Sequence, residues 1–290
     1  MYIQLHGRRD ALGANLMFYI AQLIIAKEHG LHIKIDDELP TGTPPFPSRM
    51  EIIDSIFTKT LFEVIRTYNK SLESDIGEKK DIYIFDCLRL ICTCVLKSNM
   101  DIFSYFRKNF PEARGLLKSY ALSAGYTLPF DPKKTILVHL RLLDVKNKPH
   151  YDGRLCSEYV ANKINSGQVF REGEIQQPHN YQAPFPQDCL QPVIDAALQK
   201  NPGRKVILLT SPGEDLSSWP YESISNNDES YDLYLLCNAE VAVLSRSSFS
   251  LTSLHFADYK DVYVPVWGHT ACMGLGTKYQ GTFENISFFA

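Results

Sequence analysis

An apolar run in this chain closes on a histidine, an arginine and an aspartate: Ile136-Leu137-Val138-His139-Leu140-Arg141-Leu142-Leu143-Asp144. Arginine stays charged at any working pH and presents a planar fork of donors that matches a phosphate group. The run is long enough for one buried parallel strand, which sets the H-x-R-x-x-D trio at the strand's carboxyl end. Open α/β sheets bind ligands in the crevice beyond that end. The segment therefore reads as half of an anion site suited to nucleotide phosphate.

Two further constellations have the same character. Leu244-Ser245-Arg246-Ser247-Ser248-Phe249-Ser250 follows the apolar Val241-Ala242-Val243, and serines at a strand-to-helix junction can cap the helix or offer donors to an anion. Capping alone would account for one serine and not for four. Leu12-Gly13-Ala14-Asn15 opens the first long helical pattern, where glycine allows close backbone approach and asparagine supplies donors; by itself it is a turn.

The elements that must position these residues alternate. Tyr2 to Leu5 is a strand candidate, Gly13 to His29 carries apolar residues at helical spacing, and Gly30 stops that helix before a strand from His32 to Ile35. Such a βαβ opening calls for a parallel sheet. Helices are expected over Met50 to Tyr68 and most of Leu88 to Arg107, with a strand at Asp81 to Phe85. Pro129 to Lys134 reads as a hinge. Beyond it the pattern predicts strands at Thr135–Leu140, Lys205–Thr210 and Val241–Ser245, and a last strand at Val262–Val266. Helices are expected at Cys156–Asn165, Gln191–Gln199, Tyr231–Cys237 and Ser250–Ala257, with a polar loop from Ser166 to Pro186. The fold class is α/β, with two Rossmann-type βαβ domains, 1–130 and 131–290, facing a central cleft.

Composition narrows the function classes. The 290 residues carry 30 basic and 33 acidic side chains, a net charge of −3, which leaves no electrostatic footprint for nucleic acid. The seven cysteines show no C-x-x-C or Cys/His ligand spacing and read as buried reduced thiols. The segment from Met1 to Asp10 lacks the apolar core of a signal peptide, and Phe18 to Ala26 is too short to span a bilayer. A soluble, cytoplasmic protein is the expectation. No G-x-G-x-x-G follows a strand, which counts against a nicotinamide oxidoreductase; no P-loop, G-x-S-x-G, H-E-x-x-H or D-x-D occurs. A bound diphosphate would then be neutralised by basic side chains and helix amino termini.

In order along the chain, these pieces resemble the superfamily of α-1,2-, α-1,6- and O-fucosyltransferases, which have a GT-B-type architecture. The counterparts are Leu12 to Phe18 for its G-x-x-G-N-Q-like element, His139 to Asp144 for its H-x-R-R-x-D, and Asp232 with Ser247-Ser248-Phe249-Ser250 for its acidic helix and S-S-F-S. Leu208 to Asp215 looks like its strand and S-D-D element, and His150 to Tyr159 like its segment ending in a double tyrosine. Two departures stand out: the family's second arginine is Leu142 here, and the first motif has one residue more.

The resemblance implies an inverting, metal-independent glycosyltransferase, without cofactor, moving a sugar from a GDP-fucose-like donor to a glycan hydroxyl. Losing the second arginine keeps other donors open, such as UDP-xylose. Residues 1–130 would serve the acceptor and 131–290 the nucleotide sugar. Arg141 would bind the donor β-phosphate, Ser247, Ser248 and Phe249 the phosphate and base, and Asp232 the base or ribose; Gly13, Asn15, His139 and Asp215 complete the donor set. Base candidates are Asp144, His150, Asp152 and Glu158, with Asp10 another; for each, the bland alternative is a solvated or capping residue. His139 is as readily a strand-end or core histidine, and Asp144 a partner for Arg141. The rival expectation, favoured by Leu142, is a non-catalytic nucleotide- or carbohydrate-binding protein on the same fold.

Overall fold

The computed structural model of the chain describes residues 2–5, 12–35, 54–72, 81–82, 102–141, 184–226, 228–265, 283 and 285–289. The chain divides into two compact units, Met1–Thr127 and Leu128–Ala290.

In the first unit β1 (Tyr2–Gln4) pairs in parallel with β2 (His32–Lys34) and β3 (Asp81–Ile82), in the order β2-β1-β3. Helix α1 (Leu12–His29) joins β1 to β2 and is buried at nearly every position as far as Ala26, because its sequence is apolar almost all round. The buried Gln22 donates to the Phe18 carbonyl, one turn back in the helix, at 3.2 Å. Gly30, at φ +60°, ends α1 as expected, letting Leu31 N return to the Ala26 carbonyl at 2.9 Å. Helix α2 (Ile56–Ser71) starts at Ser55, whose hydroxyl accepts from Phe57 N, and buries Phe57, Leu61, Val64, Ile65 and Tyr68 along one stripe. Its Asn69 reaches β2: the side-chain amide donates to Ile33 O at 2.7 Å and accepts from Ile33 N at 3.0 Å. Of the helix expected over 88–107, the described part is α3 (Ile102–Asn109), and a separate α4 (Glu112–Ser123), which the sequence pattern did not announce, follows Pro111. Proline disfavours helix at the residue before it and suits the start of the next, so the break falls there.

The second unit holds a six-stranded sheet with every neighbouring pair parallel, in the order β6-β5-β4-β7-β8-β9. Its elements run β4 (Thr135–His139), α5 (Gln187–Lys200), β5 (Lys205–Thr210), β6 (Glu222–Ser225), α6 (Glu229–Asn238), β7 (Val241–Val243), α7 (Ser248–Phe256), β8 (Asp261–Pro265) and β9 (Ile286–Phe289). This is the doubly wound order: the chain steps outward from β4 to β6, then returns to the other side of β4 and steps outward again. Val262–Val266 is therefore not the last strand, since β9 extends the sheet beyond it, and β6 is a strand where none was expected. Within the segment expected as a hinge, Pro132–Lys134 forms a 3-10 turn, its entry fixed by Asp131 accepting from Lys133 N at 2.9 Å. Helix α5 begins before the expected Gln191 and tolerates Pro192 near its start, at the cost of one backbone hydrogen bond. The expected helix at 156–165 and most of the loop at 166–186 lie outside the described residues.

Strand alternation sorts the core. Ile136, Val138 and Leu140 join Val206, Leu208, Val241, Val243 and Tyr263 in packing on α5 through Leu190, Ile194 and Ala197. The residues between them (Leu137, Ile207, Leu209, Ala242) are buried too, so both faces are covered, as a parallel sheet requires. At the amino end of the sheet Arg204 gathers three strands' worth of chain: it donates to the Pro132 and Thr135 carbonyls and pairs with Glu240 at 2.7 Å. Its side chain is 9% exposed against 31% for Glu240. Arg204→Met should lower unfolding stability by about 2–3 kcal/mol in chemical denaturation, less than a fully sealed pair because Glu240 keeps some water. A loss under about 0.5 kcal/mol, the level of a surface pair, would show that the cluster does not hold this end.

Candidate functional site

In the doubly wound order the chain reverses direction across the sheet between β4 and β7. Beyond the carboxyl ends of these two strands lies the switch-point crevice where such folds bind ligands. β4 pairs with β7 from Ile136↔Val241 to Val138↔Val243, so His139 and Leu244 leave the ladder side by side. Leu140 N still bonds Leu209 O at 2.8 Å, which keeps the chain extended one step past the strand. Alternation then separates the residues of this end: Leu140 turns to the α5 face, while His139 turns to the face of α7. There His139 Nδ1 lies 2.7 Å from Ser245 Oγ, and its ring packs on Phe249 with centroids 5.4 Å apart. Arg141 Nη1 donates to the Arg246 carbonyl at 3.4 Å. The histidine and the arginine thus tie the end of β4 to the loop that follows β7.

That loop is fixed by its serines. Ser247, extended at φ −144° and ψ 132°, caps α7 by accepting from Phe249 N at 3.2 Å. Ser250 Oγ donates toward the Ser245 and Ser247 carbonyls, at 3.0 and 3.2 Å, and lies 3.4 Å from Ser245 Oγ. Three of the four serines therefore hold the loop, and Ser248, half-buried, opens the helix. The amino end of α7, with its positive end of the helix dipole, is presented at the crevice by this lattice. Arg246 sits among the serines with its guanidinium carbon 3.9 Å from the centroid of Phe185, just ahead of α5.

The other expected residues spread out. Asp215 is exposed after β5 and accepts from Ser217 N at 2.9 Å, which makes it a turn residue, next to Gly213 at φ +84°. Asp232 lies in the first turn of α6, two strands away from β4, where it accepts from Asn226 Nδ2 at 2.5 Å. Burial pushes its carboxyl up to about 7, with Asp228 and Glu229 adding to the rise and the Asn226 hydrogen bond opposing it. Gly13 and Asn15, both buried near the start of α1, belong to the first unit. Asp10, Leu142, Asp144, His150, Asp152 and Glu158 lie outside the described residues. Sequence reasoning missed Ser245, Arg246 and Asn226 as site residues; the first two stood inside a motif already singled out, but their partners are about a hundred positions away.

The second unit is thus a doubly wound α/β fold whose switch point is lined by a histidine, two arginines and a capped helix end. No protein-family model matches the chain, and no curated protein sequence matches it. Among solved structures, POFUT1 in complex with GDP aligns over 100% of this chain and 98% of its own, at 12% identity and a TM-score of 0.43. POFUT1 in complex with GDP-fucose aligns over the same shares at 13% identity and a TM-score of 0.40.

Because the folded-state value of Asp232 stands above its unfolded 3.8, the native state keeps a proton that the unfolded state has shed between 3.8 and about 7. Stability is then greatest on the acid side and falls as pH rises through about 7. Asp232→Asn should remove that fall and, at pH 8, exceed the parent by on the order of 1–2 kcal/mol, after allowance for partial solvent access. Denaturation at pH 5 and pH 8 measures this; identical pH slopes in the two proteins would mean that Asp232 ionises freely.

Proposed function

We propose that the chain is a glycosyltransferase that moves a sugar from a nucleoside diphosphate donor to a glycan hydroxyl, with inversion and without a metal ion. The observation that carries this reading is Arg141, held at the carboxyl end of β4 by the Arg246 carbonyl across the strand switch. A guanidinium at that point, beside the capped amino end of α7, suits a diphosphate that leaves with negative charge. The ordered fucosyltransferase-like motifs add the sugar to the diphosphate. Residues 131–290 take the nucleotide sugar and residues 1–130 the acceptor.

In the reaction the acceptor oxygen attacks the anomeric carbon, and the bond from that carbon to the diphosphate oxygen breaks with its electron pair on the leaving group. Arg141 and the α7 amides stabilise the charge that develops there. The acceptor proton passes to a carboxylate or imidazole drawn from Asp144, His150, Asp152 and Glu158. His139 is a positioning residue in this scheme: through Ser245 it sets the loop that presents α7. Asp232 stands toward β6, where the base or ribose of a bound nucleotide would extend. GDP-fucose is the first donor to test and UDP-xylose the second, since Leu142 leaves the diphosphate clamp different from the family's.

Thermal unfolding with GDP, UDP and their fucose, xylose and glucose conjugates tests the reading, because a ligand of the native state alone raises its melting temperature. One nucleotide class should stabilise the protein equally with and without EDTA, and its sugar conjugate should be turned over. Arg141→Ala should lower turnover by a factor of about 100 or more while the ligand-free melting temperature holds within a few degrees. No stabilisation by any of these compounds would sink the proposal. Stabilisation without transfer or donor hydrolysis would favour a binding protein on the same fold.

A further inference from the structure

In the loop after β7 each hydroxyl has one hydrogen to give, and the neighbours decide where it goes. A carbonyl oxygen only accepts, and each ring nitrogen of a neutral histidine either donates or accepts. Ser250 is fully buried, and its Oγ donates toward the Ser245 and Ser247 carbonyls at 3.0 and 3.2 Å. Its hydrogen is thereby committed, so toward Ser245 Oγ, 3.4 Å away, Ser250 can only accept. Ser245, itself buried, has one hydrogen and two neighbours able to take it: Ser250 Oγ at 3.4 Å and His139 Nδ1 at 2.7 Å. We infer that Ser245 gives it to Ser250, and that Ser250 is a positioning residue which, through Ser245, keeps the hydrogen of neutral His139 on Nδ1. This rests on the functional reading above only in taking His139 for part of the ligand-side machinery.

Two arrangements compete. If Ser245 donated to Nδ1, the short contact would be filled, but two hydroxyl oxygens would face each other at 3.4 Å with no hydrogen between them, in a buried place. If Nδ1 donates to Ser245, every contact holds one hydrogen, and the chain runs from the imidazole through Ser245 and Ser250 to the two carbonyls. The 2.7 Å contact is made either way, so the difference lies in the long one: weak attraction in the second case, repulsion of lone pairs in the first. In a low-dielectric interior, where linked hydrogen bonds polarise one another, that difference favours the filled chain. The carbonyls themselves do not depend on Ser250. Ser247 N already donates to Ser245 O at 2.8 Å, and Leu251 N to Ser247 O at 3.1 Å. The backbone of the loop is thus closed without the Ser250 hydroxyl, and what the hydroxyl adds is direction. A hydrogen on Nδ1 leaves the lone pair of the ring on Nε2, so the serines decide which edge of His139 donates and which accepts at the carboxyl end of β4.

Ring-nitrogen NMR of the ligand-free protein at about pH 9, where an imidazole is neutral, tests this, with His139→Gln identifying the His139 signals among the eight histidines. The parent should carry the hydrogen on Nδ1. Ser250→Ala removes the acceptor, so the Ser245 hydroxyl should turn to Nδ1 and the ring hydrogen should move to Nε2, with the fold retained. A parent ring protonated on Nε2, or a Ser250→Ala ring unchanged from the parent, overturns the inference. If the alanine variant does not fold, Ser250→Cys makes the same comparison, since sulfur is a much weaker acceptor than a hydroxyl oxygen. With a donor that the parent turns over, Ser250→Ala should lower turnover by about 10-fold, the rate equivalent of one buried hydrogen bond; unaltered turnover would overturn the positioning role. A parent that turns over none of the donors refutes the function and leaves the ring-nitrogen result standing, so the two failures are distinct.

Discussion

The contact between His139 Nδ1 and Ser245 Oγ spans 106 residues and joins the first strand of the second unit to the fourth. Parallel pairing already aligns β4 with β7, but it stops at Val138 and Val243. Beyond it Leu140 N still bonds Leu209 O and Leu244 N bonds Tyr263 O, each to its outer neighbour, and the link between the two chain ends themselves passes to side chains, this hydrogen bond first among them. Next to it lie the local cap of Ser247 on α7 and the Arg246 carbonyl that accepts from Arg141. A sheet that ended without it would leave two short loops free to choose their own directions, and the charge they carry would not converge.

The serine lattice shows how a polar cluster can close the end of a sheet. Ser245, Ser247 and Ser250 spend their hydroxyls on carbonyls, an amide and each other, and so satisfy polar groups that lie buried at the end of a sheet. The end of α7 and the Arg246 carbonyl that accepts from Arg141 are then held in place by the loop's own hydroxyls. Catalysis by stabilising a leaving group depends on such prior arrangement, because groups that need not reorganise act at full strength.

Much of the fold could be read in the residues. Strand β5 falls where the apolar run of Lys205 to Thr210 puts it, and β4, β7 and β8 are short of or beyond their expected ends by one or two positions. These are central strands, covered on both faces, whose pattern is local. Strand β6 is Glu-Ser-Ile-Ser at one edge, mostly exposed, and carries no apolar run; only its pairing to β5 makes it a strand. Strand β9 was lost for a related reason, because each of its residues is only half-buried. At the site, the H-x-R spacing was legible since alternation is a property of the chain itself. The meeting of Arg141 with Arg246, and of Asp232 with Asn226, depends on topology and on which way a loop turns, which spacing does not encode.

In the first unit, strand β2 stands at the outer edge of the described sheet, yet Ile33 does not present a free amide and carbonyl there. The primary amide of Asn69 copies a peptide group and occupies both. An incoming strand from another molecule would have to displace a partner tethered by its own helix, in a geometry already at its optimum. A single side chain therefore stands in for a neighbouring strand at Ile33, and the edge of the described sheet is closed to recruitment at that residue.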